Sequence, residues 1–169
     1  IMFKYRELED HVIYIAPLPS LKNVVIGLQG DYFPDIKSLK YKNIAYLRGA
    51  KFSEKIDNDP DITKSHIRDF DQGINMLIAK RVDAIIGPMD PITIAFNNIK
   101  TMEDHPTLSL GPPLIVSERT PWVQLSKHSK KNISIDNLTV HFRHILERGY
   151  LKKLRQQYLI PQKQILIPE

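Results

Sequence analysis

The chain has 169 residues, 42% of them apolar and 25% charged, a balance that belongs to folded globular proteins and excludes a disordered tail. It contains no Cys, which excludes a disulfide scaffold, a thiolate zinc site and a cysteine nucleophile. The net charge of +5 invites a nucleic-acid reading, but acidic residues separate most of the cations and no zinc-finger spacing or RRM-like aromatic motif is present, so nucleic acid is not an expected partner. At ~150 residues per domain, the length fits one domain or two small lobes. The longest apolar runs, Val12–Pro17 and Ala84–Met89, fall far short of the ~20 residues needed to cross a bilayer, so no transmembrane segment is expected.

In chain order, His11–Ala16 reads as a strand stopped by Pro17-Leu-Pro19. Asn23–Leu28 is a β-branched apolar run of the kind buried on both faces of a sheet, and Gln29-Gly30-Asp31 is a turn. A polar helix or loop leads to Tyr41. Asn43–Leu47 reads as a strand ending at Arg48-Gly49, with a short helix expected from about Ala50 that carries Phe52 and Ile56. Asp57–Asp61 is turn chemistry. Thr63–Phe70 is expected as a strand, and Asp71 as the N-cap of a helix through Lys80 with Ile74, Leu77 and Ile78 on one face. Val82–Ile86 is a buried strand closed by Gly87-Pro88, and Pro91 suits the first turn of a helix to about Ile99. Leu108–Val116 is broken at Gly111-Pro-Pro113, and Trp122–Ser126 reads as a strand. Ile135–Leu146 is a helix with Leu138, Phe142, Ile145 and Leu146 on one stripe. Gly149 interrupts or caps it before a second helix bearing Leu151, Leu154 and Tyr158. Pro161 and Ile165–Ile167 end the chain. Strands alternating with helices at this spacing predict an α/β fold with crossover connections.

The run from Asp71 to Ile86, a helix ending in Lys80-Arg-Val-Asp-Ala84 that feeds a strand, resembles the type II periplasmic solute-binding proteins. The closest resemblance is to the amino-acid-binding group of ABC transporters (extracellular solute-binding family 3) and its sensor relatives. Leu39-Lys-Tyr-Lys-Asn-Ile-Ala-Tyr-Leu-Arg-Gly49 is similar to that group's L-K-G-K-x-V-G-V-x-x-G strand. Gln124–Ser129 and the G-x-L-x-x-L-x-x-x-Y pattern at Gly149–Tyr158 resemble its closing strand and terminal helices. The resemblance implies two α/β lobes, each with a mostly parallel sheet flanked by helices, joined by crossover strands around a ligand cleft. It further implies that residues 1–28 form a partial lobe one with the first crossover, 29–116 lobe two, and 117–169 the return crossover and C-terminal helices. Members of that group are longer, and the part lacking here corresponds to the start of lobe one. The sequence opens at Ile1 without a charged-then-apolar leader, so a processed product or a fragment is expected, with any export signal outside it.

Two candidate ligand segments follow. In Arg48-Gly49-Ala50-Lys51 a strand end is expected to meet a helix start, where unpaired backbone N–H groups favour an anion. Gly49 admits a close approach, and Arg48 or Lys51 supplies charge. The group usually has Gly-Thr-Thr there; Ala50 and Lys51 keep the backbone donors and remove the hydroxyls. The competing reading is an ordinary turn with solvated cations. The second segment, Gly87-Pro88-Met89-Asp90, follows a strand C-terminus, where open α/β sheets collect ligands. In the amino-acid binders the position of Pro88 carries an Asp that takes the ligand ammonium. Asp90 is the substitute, with helix capping at Pro91 as its alternative role, and Asp83 is expected to be structural. His141 and His144, three apart on a helix, lack a third metal ligand. Ser126–Ser129 has neither an orienting base nor an oxyanion site. No catalytic residue, metal or cofactor is expected.

The expected function is therefore non-enzymatic binding of an amino acid or other small polar or anionic solute in the cleft. The setting is a periplasmic solute-binding protein or extracytoplasmic sensor module, with an ABC transporter permease or a signalling domain as partner. Two alternatives share the architecture: the effector domain of a LysR-like regulator, and an enzyme built on the same scaffold around an acid such as Asp90.

Overall fold

The structure is a computed structural model that describes residues 2–102, 107–129 and 133–159. Its strands are β1 (Met2–Phe3), β2 (Val12–Pro17), β3 (Leu21–Ile26), β4 (Asn43–Leu47), β5 (Thr63–Ile67), β6 (Ala84–Pro88), β7 (Leu114–Arg119) and β8 (Pro121–Ser126). Its helices are α1 (Glu54–Asp57), α2 (Phe70–Ile78), α3 (Met89–Met102), α4 (Ile135–Glu147) and α5 (Tyr150–Leu159), with 3-10 turns at Arg6–Leu8 and Ile36–Leu39. The chain divides into two compact units, residues 22–118 and residues 1–21 with 119–160. The boundaries at 28 and 116 drawn from the sequence differ from these because β3 pairs into the sheet of the larger unit.

That unit holds a five-stranded sheet in the order β5-β4-β6-β3-β7. Strands β5, β4 and β6 are parallel, and β3 runs antiparallel to β6. The central strands bury both faces, and their residues alternate between two apolar layers. Val24, Ile26, Ala45 and Ile85 join Ile74, Leu77, Ile92 and Phe96 of α2 and α3 on one face. Val25, Ile44, Tyr46, Ala84 and Ile86 join Phe33, Leu39, Ile56 and Ile62 on the other. The middles of these strands are thus interior, at roughly 1.5–3 kcal/mol for each large side chain removed from water.

Helix α2 is capped by Asp69, not Asp71: Asp69 accepts from the Gln72 N–H at 2.8 Å, while Gln72 Oε1 accepts from the Arg68 N–H at 3.0 Å. These two bonds fix the helix start two residues earlier than the apolar stripe suggests, and so end β5 at Ile67 rather than Phe70. The helix stops at Ile78, because Lys80 takes a left-handed conformation (φ 54°) instead of extending it. Gly87 and Pro88 belong to β6 rather than closing it.

The smaller unit holds the antiparallel sheet β1-β8-β2 and the two terminal helices. Gly149 turns the chain between α4 and α5 with φ +68°. No residue of α4 is buried, and Ile145, expected on its inner stripe, is among the exposed apolar residues. Pro161 and Ile165–Ile167 lie outside the described residues.

Two substitutions test the backbone account. A Cβ on Gly111 would sit 2.7 Å and 2.8 Å from the carbonyl oxygens of Leu28 and Asp31, which are backbone and cannot swing away. Gly111→Ala is expected to lower stability by about 1–3 kcal/mol, read from the denaturant midpoint. Tyr41 holds φ 63° at 83% exposure, with its N–H donated to the Asp61 carbonyl at 2.7 Å. Tyr41→Gly removes left-handed strain without removing buried surface, and is expected to raise stability by about 0.5–1 kcal/mol, seen as a higher thermal midpoint.

Candidate functional site

The parallel register aligns the carboxyl ends of three strands. Leu47 of β4 lies beside Ile67 of β5, and Tyr46 lies beside Ile86 of β6. Arg48 and Arg68 therefore leave the sheet at the end where Gly87-Pro88 finish β6, so both candidate segments share one edge.

The first segment is built differently from the sequence expectation. No helix starts at Ala50: α1 begins at Glu54 and has only four residues. Leu47–Ala50 is a tight turn, with the Ala50 N–H donated to the Leu47 carbonyl at 3.1 Å and the Arg48 N–H to the Ile67 carbonyl at 3.0 Å. Gly49 holds φ +75° in open space, so the turn conformation alone requires glycine there. Two of the N–H groups expected to meet an anion are thus used by the fold, and Ala50 offers nothing else. What remains is charge. Arg48 and Lys51 are both exposed, and neither side chain has a partner among the described residues.

In the second segment Gly87 is buried, and a Cβ there would meet the Phe70 ring at 2.6 Å. Its lack of a side chain makes room for Phe70 at the head of α2. Pro88 is the last residue of β6, paired with Asn23 of β3. Asp90 stands half-buried in the first turn of α3 and is engaged within the fold. Asp83 is used at the other end of the sheet, accepting the Asn43 N–H at 2.7 Å.

Arg68 joins this edge without having been singled out in the sequence. Its guanidinium is held by Asp69 at 3.0 Å and remains well exposed. The signal was present as the D-x-x-Q spacing of Asp69 and Gln72, which marks where β5 ends. An open groove of about 690 Å³ follows from Arg68 and Asp69 along the outer side of α2 to Arg81. No group of three or more metal-ligating side chains occurs among the described residues, and His141 turns Nδ1 to the Asn137 carbonyl of its own helix.

Beneath the first segment, burial and then a hydrogen bond to Asp57 push the Tyr46 phenol well above its ordinary pKa. Lys40, at the opposite end of β4, is raised by its hydrogen bond to Asp61.

No sequence-family model and no curated protein sequence matches the chain. Solved structures do. The GluR0 ligand-binding core in complex with L-glutamate matches with a TM-score of 0.67 at 16% identity, covering 94% of this chain and 70% of that one. The substrate-binding protein AbpA of an amino-acid ABC transporter from Streptococcus pneumoniae, bound to L-arginine, gives 0.67 at 19%, covering 94% and 65%. An ancestral cationic amino-acid solute-binding protein gives 0.70 at 12%, covering 94% and 67%. The chain thus spans about two thirds of these longer chains, and its fold is the type II periplasmic-binding-protein fold.

The Tyr46 environment makes a signed prediction. A phenol whose pKa is raised on folding contributes stability that is whole below pH ~10 and declines as pH rises toward its folded pKa. Between pH 9 and 11.5 the thermal midpoint of the wild type is expected to fall more steeply than that of Tyr46→Phe. Lys40, also raised, is common to both proteins, so the difference in slope reports Tyr46.

Proposed function

We propose that this chain is a non-enzymatic binding module that takes a small polar or anionic solute at the carboxyl end of its five-stranded sheet. Its setting is that of an extracytoplasmic solute-binding protein or sensor module, in the periplasm of a two-membrane cell, working with an ABC transporter permease or a signalling domain. The observation that carries the reading is the gathering of Arg48, Lys51 and Arg68 on the one sheet edge where α/β folds collect ligands. The fold supports it, since the solved chains named above are binding proteins and two of them hold L-glutamate and L-arginine. No helix among the described residues is long and apolar enough to cross a membrane.

The chemistry of the edge favours the acidic part of a solute. Two exposed cations without ion-pair partners gain charge-assisted hydrogen bonds when a carboxylate arrives. The position at which amino-acid binders of this architecture present a carboxylate to the ligand ammonium is Pro88, which offers neither charge nor an N–H. An amino group on the solute would depend on Asp90, two residues further on.

The test is a thermal-shift screen with L-glutamate, L-arginine, succinate and a sugar acid, followed by calorimetry on any that shift. A solute at 100 times its Kd is expected to stabilise the protein by about 2.7 kcal/mol. Arg48→Ala and Lys51→Ala are each expected to weaken an acidic solute about tenfold, ~1.4 kcal/mol. A flat screen removes the binding reading, and unchanged affinity in both variants removes the anion site.

A further inference from the structure

The segment that presents Arg48 and Lys51 runs from the end of β4 to Ser53 without helix or strand to hold it. A chain of side-chain hydrogen bonds does so instead. Asn23 of β3 is the buried polar side chain of the described core, 6% exposed. Its Nδ2 donates to Ser117 Oγ of β7 at 2.9 Å, and Ser117 Oγ donates its single proton to the Phe52 carbonyl at 2.7 Å. On the other side of the same residue the Phe52 N–H donates to Tyr46 Oη at 3.3 Å. Tyr46 Oη in turn donates a hydrogen bond to Asp57 Oδ1, which also accepts from the Ser53 N–H at 3.3 Å. The Phe52 ring lies against that of Tyr46, with centroids 5.3 Å apart.

Each hydroxyl in this chain accepts once and donates once, so the donor order is fixed in one direction. Both polar groups of the Phe52 backbone are gripped by side chains from two different strands. Asn23 behind them stands opposite Pro88, the last residue of β6. Buried polar side chains are costly to leave unmatched and rigidify their surroundings when fully matched, and no buried side-chain nitrogen or oxygen among the described residues lacks a partner.

We propose that Tyr46 and Ser117 are positioning residues for the solute site, holding residues 48–53 in a ready-made conformation so that Arg48 and Lys51 are presented without an ordering cost on binding. This rests on the solute-binding reading above. A segment fixed before the solute arrives loses little conformational freedom when it binds, whereas a loose one must be ordered at the expense of affinity.

The experiment uses Ser117→Ala, Tyr46→Phe and the conservative Ser117→Thr in the full chain. Amide hydrogen exchange without solute is expected to speed up at least tenfold at Phe52 and Ser53 in the first two variants. Exchange at Ala45 and Ile85 in the sheet should stay unchanged, and Ser117→Thr should keep the wild-type rates. Calorimetry with succinate and L-glutamate is expected to show a five- to tenfold loss of affinity in Ser117→Ala, restored in Ser117→Thr. Faster exchange throughout the sheet would reduce both residues to a general structural role and overturn the proposal. Unchanged exchange at Phe52, or faster local exchange with wild-type affinity, would overturn it equally. Failure of the wild type itself to bind either probe is the separate failure of the solute reading. It removes the site to be positioned, and the exchange arm still decides whether the hydrogen-bond chain holds the segment.

Discussion

Burial of both faces of β3, β4 and β6 is the constraint on which the larger unit depends. A strand enclosed on both sides has no polar face to turn to water, so helices or turns must cover each side of the sheet, and the parallel strands must be linked by crossovers. Crossovers in turn put all the β-to-α connections of β4, β5 and β6 at the carboxyl edge. The chemistry found there is therefore a consequence of the apolar pattern in the strands: Arg48, Arg68 and Pro88 become neighbours because Ile44, Ala45, Ile85 and Ile86 cannot face solvent.

Glycine serves two different ends at this edge. Gly49 is required by its left-handed backbone and is surrounded by open space. Gly87 is required by the ring packed on it, so its absent side chain is spent on seating Phe70 at the start of α2. The two residues look alike in sequence, each coming just after a buried apolar run. Only the surroundings separate a position with open space from one filled by a neighbour.

Most of the sheet was legible in the residues. Asn43–Leu47 was bounded as observed because an apolar run sits between Lys42 and Arg48, and the two layers follow from strict alternation. The helix starts were less legible. A helix expected from Ala50 to carry Phe52 and Ile56 does not form before Glu54, since Phe52 binds through its backbone to Tyr46 and Ser117. Those partners lie 6 and 65 residues away, and no local pattern carries a contact of the second kind. The apolar stripe of Ile74, Leu77 and Ile78 points to Asp71 as the cap, whereas the Asp69-to-Gln72 spacing marks the observed one. The contribution of Arg68 was hidden for the same reason, since its place depends on where β5 ends.

Replacing a helix N-terminus by a tight turn changes the physics of the candidate site. Helix-terminal N–H groups are short-range donors whose pull on an anion is fixed by backbone geometry and is lost within one turn. Here the Arg48 and Ala50 N–H groups are occupied by Ile67 and Leu47, and the attraction passes to two long side chains standing in solvent. Their field reaches about one Debye length, ~8 Å at physiological salt, and weakens as salt rises. Such side chains also lose more freedom on binding than backbone donors do. A site of this kind gains reach and tolerance for differently shaped acids, and it depends more heavily on the rigidity of the turn that carries its cations. The polar chain through Phe52 supplies that rigidity where a helix would otherwise have done so.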